Sequence, residues 1–76
     1  EDQRQSILAL LRKGPKTTFE LRAEAGAMQA PTRLHELRRR GHEILTERVD
    51  AADESGLMHT GVARYHLLAE AKEDAR

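Results

Sequence analysis

Cysteine and tryptophan are absent from this chain of 76 residues, and Phe and Tyr occur once each. Without cysteine there is no disulfide framework, no thiolate zinc site and no cysteine nucleophile. Long apolar runs are missing as well. The longest, Ile7-Leu8-Ala9-Leu10-Leu11, has five residues, against the ~20 needed to cross a bilayer. Glu1-Asp2 stands where a signal peptide would carry its basic segment. Together with the lack of cysteine, this places the expected location in the cytoplasm. Neither sign of charge is in excess: 13 Lys and Arg face 13 Asp and Glu.

What remains is a modest core. Of the hydrophobic 38%, 11 residues are Ala, leaving ten Leu, two each of Ile, Val and Met, and the two aromatics. A chain this short buries only about 60% of the surface its unfolded form exposes. Function is therefore expected on a surface rather than in a deep pocket. The charge, though balanced, is unevenly spread. Residues 3–48 sum to +5, residues 49–76 to −3, and Glu1-Asp2 add −2. Binding responds to the local field rather than to the sum.

No repeat, linker or low-complexity stretch divides residues 1–76, which read as one domain. A first helix is expected over 3–13, with Arg4, Ile7, Leu8 and Leu11 on one stripe, Arg12 and Lys13 in the last turn, and Gly14-Pro15 ending it. Thr17-Thr18-Phe19-Glu20 has the form of a capping box opening a short second helix. Phe19, Leu21, Ala23 and Ala25 are its inward residues, and Gly26 stops it. A third helix runs from Ala30 to Arg40, with Pro31 at its start, Ala30, Leu34 and Leu37 inward, and Gly41 as a left-handed cap. The period then shortens. Ile44–Val49 and Val62–Leu67 read as two strands of a β-hairpin with its tip near Ser55-Gly56; either Ile44 or Leu45 can face the core, Ile44 being preferred, with Tyr65 and Leu67 opposite. The tail, 68–76, reads equally as a frayed helix or as disorder. This order of elements is that of an α+β winged helix-turn-helix domain, in which two short helices need a first helix and a small sheet to complete their core.

Three segments carry a family resemblance: Thr17-Thr18-Phe19-Glu20-Leu21-Arg22, Ala30-Pro31-Thr32-Arg33-Leu34-His35-Glu36-Leu37-Arg38 and Gly41-His42-Glu43-Ile44. Together they resemble the small winged helix-turn-helix proteins of bacteriophages and prophages, with Arg64-Tyr65-His66-Leu67 as the closing strand. Thr32 departs from the Ala usual in that pattern. The resemblance implies a DNA-binding or regulatory role.

On a wheel centred on Leu34, the far side of the third helix holds Thr32, Glu36 and Arg39, flanked by Gln29, Arg33 and Arg40. Such a face suits the major groove of double-stranded DNA. Arg pairs with guanine, Gln with adenine, and Thr meets the thymine methyl. The N-terminal half of a recognition helix reaches the bases, which makes Gln29, Thr32 and Arg33 the base-reading candidates. Arg39 and Arg40, with Lys16, Thr17 and Thr18 at the preceding helix start, are candidates for phosphates. Glu36 accepts from cytosine N4 or repels the backbone. A plainer account is that Arg33–Glu36 and Glu36–Arg40 are ordinary helix-surface pairs worth a few tenths of a kcal/mol. On the wing, Arg48, Arg64 and His59 offer positive or switchable charge. The tip carries Asp50, Asp53 and Glu54, and is expected to point away from DNA or toward a partner.

Other chemistries find no support in the residues. The four His are spaced by seven, seventeen and seven, without a helical pair, so no metal is expected. There is no nucleophile elbow, phosphate loop or apolar-embedded carboxylate pair, hence no enzyme and no cofactor. The first helix needs its apolar stripe for the core, hence no membrane surface. A homodimer on a palindromic operator fits such domains, with Ala69-Glu70-Ala71 as the candidate contact. The rival reading is a winged-helix module that binds a host or phage protein without DNA.

Overall fold

A computed structural model describes residues 3–71. Its elements are α1 (Gln3–Lys13), β1 (Lys16–Thr17), α2 (Thr18–Ala25), α3 (Ala30–Arg39), β2 (Glu43–Ala52) and β3 (Met58–Ala69). The strands form one antiparallel sheet in the order β1-β3-β2. The fold is α+β, three helices packed with a winged sheet.

The helices begin and end where local chemistry dictates. Thr17 Oγ1 accepts from the Glu20 amide at 3.1 Å and the Thr17 amide donates to Glu20 Oε1 at 2.8 Å. This reciprocal box satisfies two donors that the first turn of α2 leaves without helical partners. At the other end Gly26 takes φ +65°, a left-handed value that costs a side chain with a Cβ and suits glycine. Gly41, at φ +105°, does the same after α3, which closes one residue earlier than the sequence suggests.

The core is a single cluster. Ile7, Leu8 and Leu11 of α1 meet Leu21, Ala27, Ala30, Leu34 and Leu37, and the sheet adds Ile44, Ala63 and Tyr65. Ile44 rather than its neighbour Leu45 turns inward, with Leu67 opposite it in the register and partly buried. Two inward assignments on α2 do not hold. Ala23 is exposed, and Phe19 is half-buried with its ring 5.1 Å from that of His59 on β3. An eight-residue helix has room for few core positions, and Leu21 fills the central one.

The sheet differs from a simple hairpin. Lys16 and Thr17 pair with Tyr65 and Arg64, adding a third strand. Two residues are too few to show a period, and only the partner on β3 makes them a strand. The wing strands also run further than expected, to Ala52 and from Met58. Nor is the start of the tail a frayed helix. Leu68 and Ala69 end β3, and Glu70 and Ala71 are tied down. Glu70 accepts two bonds from Arg12, at 2.7 and 2.8 Å, and the Ala71 amide donates to His42 Nδ1 at 3.1 Å. The suggested dimer contact at Ala69–Ala71 is thus engaged with its own chain. Residues 72–76 of the expected tail lie outside the described residues.

Candidate nucleic-acid interface

The buried stripe of α3 decides which of its side chains face out. Ala30, Leu34 and Leu37 are at most 1% exposed. At 100° per residue this turns Thr32, His35 and Arg39 into solvent, three and four positions apart on adjacent turns. Gln29 caps the helix without a side-chain hydrogen bond and is exposed, as is Met28 in the preceding turn. Pro31 occupies the first turn, where its missing N–H costs nothing.

Arg33 and Glu36 sit differently. Both are half-buried, and Arg33 Nη1 donates to the two oxygens of Glu36 at 2.8 and 2.9 Å. Arg4 of α1 approaches the same carboxylate at 3.6 Å. The hydrogen bond from Arg33 chiefly holds the Glu36 carboxyl below its usual range, and burial works against it. The fields of Arg33, Arg4 and Arg40 lower it further. The acidic residue is therefore drawn to the α1 side and neutralised there, which answers the difficulty it posed on the sequence wheel.

The other candidates are dispersed. Lys16 is paired with Glu24 of α2 at 3.2 Å. Thr17 is 7% exposed, and its hydroxyl and amide both serve the cap. Thr18 is half-buried at the start of α2. Arg40 is exposed at the end of α3 and borders an open polar cleft shared with Arg12, His42 and Glu70. Arg48 is exposed on β2 and donates to the Gly61 carbonyl at 3.3 Å across the wing. Arg38, not among the candidates, braces the fold. It donates to the Ile44 carbonyl at 3.0 and 2.8 Å and to Thr46 Oγ1 at 2.7 Å, fastening α3 to β2. His35 was missed. The signal available was its spacing, three residues beyond Thr32 and four before Arg39.

The ion pairs explain how a neutral chain carries a positive face. Arg4, Arg12, Lys16, Arg33 and Arg64 each have a carboxylate partner. Among the described residues, Lys13, Arg22, Arg38, Arg39, Arg40 and Arg48 have none. Three of these six are consecutive at the end of α3, and Arg48 follows on β2.

The wing tip is built around Asp53. Its Oδ1 accepts from the Ser55 amide (2.9 Å), the Ser55 hydroxyl (2.7 Å) and the Leu57 amide (3.0 Å), and Oδ2 lies 2.8 Å from His59 Nε2. The contact with His59, then those with Ser55 and Leu57, hold its carboxyl far below the usual range. Through the Phe19–His59 ring contact the tip lies beside the start of α2. Asp53, Glu54 and Ser55 there line a shallow cleft with Phe19 and Arg22. On the outer face of the sheet, Glu47 bridges His66 (2.7 Å) and Arg64 (2.9 and 3.1 Å), which lower its carboxyl.

No group of three or more His, Asp or Glu among the described residues is placed to hold a metal ion. No helix among them is long and apolar enough to cross a membrane. No curated protein and no solved structure matches the chain. A family model does match, over residues 2–70, and its description agrees with the three helices and winged sheet. The chain belongs to the winged helix-turn-helix domain family, a membership that points to nucleic-acid binding.

Proposed function

We propose that the chain binds double-stranded DNA as a small transcriptional regulator of the phage or prophage kind, with α3 in the major groove. One observation carries this reading: the cations without a carboxylate partner gather at the end of α3 and on β2, while those elsewhere are mostly paired. Gln29 and Thr32 at the exposed start of the helix then meet base edges. Arg33 gives one nitrogen to Glu36 and keeps its remaining donors for a base. Arg39, Arg40 and Arg48 take phosphates. The resemblance of Thr17–Arg22 and Ala30–Ile44 to phage proteins supports the regulatory role.

The test is fluorescence anisotropy with a short random-sequence duplex at about 50 and 200 mM salt. Contact of Arg39, Arg40 and Arg48 with phosphates gives a slope of about −2.7 in log affinity against log salt, or ~40-fold weaker binding at the higher salt. An absence of binding at the lower salt overturns the reading.

A second reading, a module that docks a host or phage protein, is favoured by the wing tip. Leu57 and Met58 are each 62% exposed there, beside the acidic Asp50 and Glu54. Exposed apolar side chains in an acidic setting suit a basic partner surface. Capture of one host protein from nuclease-treated lysate, lost in Leu57→Asp with Met58→Asp, supports this second reading.

A further inference from the structure

We propose that His35 is a DNA-contacting residue of α3 that binds as the imidazolium, so that the chain takes up a proton as it binds DNA. The inference rests on the DNA-binding reading above and adds to it a residue and a chemical state.

Three observations carry it. His35 is exposed in the middle of α3, between Thr32 and Arg39 on the outward stripe. Among the described residues its ring makes no hydrogen bond, ion pair or ring contact, whereas the other three imidazoles are all engaged. His42 accepts from Ala71, His59 faces Asp53 and Phe19, and His66 faces Glu47. Third, the carboxylate nearest in sequence, Glu36, is turned to Arg33 and Arg4 on the α1 side.

The helix packs against α1, α2 and β2. Of their charged groups, Arg4 meets Glu36, and Glu20 and Glu24 are taken by Thr17 and Lys16. Glu47 is taken by Arg64 and His66, Arg12 by Glu70, and Arg48 reaches Gly61, while Lys13, Arg22 and Glu43 are exposed without a partner among the described residues. None of them bonds His35. The cations nearest in sequence are Arg33, which is given to Glu36, and Arg38 and Arg39, all on its own helix. A polyanion laid along the stripe favours the charged form of an imidazole there. A solvated imidazole changes charge between pH 5 and 8. Bound as a cation it gives both nitrogens as donors to phosphate or to the acceptors of guanine.

The experiment compares wild type, His35→Gln, His35→Lys and Arg39→Ala by anisotropy on a random-sequence duplex at pH 5.5 and 7.5, at two salt concentrations. Wild type is expected to bind about five-fold tighter at pH 5.5 than at pH 7.5. Its salt slope steepens there by up to ~0.9, the value of one further phosphate neutralised. His35→Gln loses most of both effects, His35→Lys binds tightly at both pH values, and Arg39→Ala is weaker but keeps the pH dependence. A wild type indifferent to pH, or a His35→Gln protein with undiminished pH dependence, overturns the proposal and leaves the DNA-binding reading standing. A wild type that binds no duplex at either pH overturns both.

Discussion

The Glu36 carboxylate takes both of its oxygens to one nitrogen of Arg33, at 2.8 and 2.9 Å, one turn away on α3. The pair shields the helix surface from a negative charge, and it also ties down a cation that a groove-binding helix would use. Glu36→Gln removes that charge while keeping the shape. We expect duplex DNA affinity to rise roughly five-fold at low salt and the gain to shrink as salt is added. Helix content changes little, since such a pair contributes only about 0.3 kcal/mol. Unchanged affinity in this variant would mean that Arg33 and Arg4 already cancel the Glu36 charge at the DNA.

The capping box at Thr17 stabilises a helix of eight residues, too short to form alone. Thr17→Ala leaves the Glu20 amide without its acceptor and is expected to cost about 1 kcal/mol. In a domain of this size that lowers Tm by ~4–8 °C in a melt followed by circular dichroism. Thr17→Ser should restore most of the loss.

Much of this fold was legible in the residues because the signals were local. The box at Thr17 and Glu20, the stripe of Ile7, Leu8 and Leu11, and Gly26 and Gly41 each act within a turn or two of chain. β1 was not legible, since Lys16 and Thr17 become a strand only by pairing with Tyr65 and Arg64 some fifty residues away. The surroundings of the candidate site were less legible than the fold. A wheel places Arg33 and Glu36 on flank and outer face, but it cannot show that Arg4 waits on α1 to hold the carboxylate. It equally passes over His35, which has no partner among the described residues.

Leu34 is fully buried at the centre of the core, and Leu45 on the outer sheet face is 50% exposed. Leu34→Ala is expected to lose about 2–5 kcal/mol, enough to unfold much of so small a domain. Leu45→Ala should stay within about 0.5 kcal/mol of wild type. Urea titrations of the two variants check the contrast.

Acid should loosen the wing tip. Asp53 and Glu47 both have carboxyls held below their ordinary range in the folded chain, by His59 and then Ser55 and Leu57 in one case, by His66 and Arg64 in the other. The stability they contribute is present above the ordinary carboxylate range and is lost as pH falls through the lowered values. Asp53→Asn removes part of that dependence. It should speed hydrogen exchange at the amides of Ser55 and Leu57, which donate to Asp53, while leaving the core amides slow.

The claim on which the account turns is that the unpaired arginines at the end of α3 meet the DNA backbone. Its most direct measurement is the salt dependence of duplex affinity for wild type, Arg39→Ala and Arg40→Ala. Each arginine that neutralises a phosphate should flatten the slope of log affinity against log salt by about 0.9 when removed. Slopes and affinities that match wild type in both variants would contradict it.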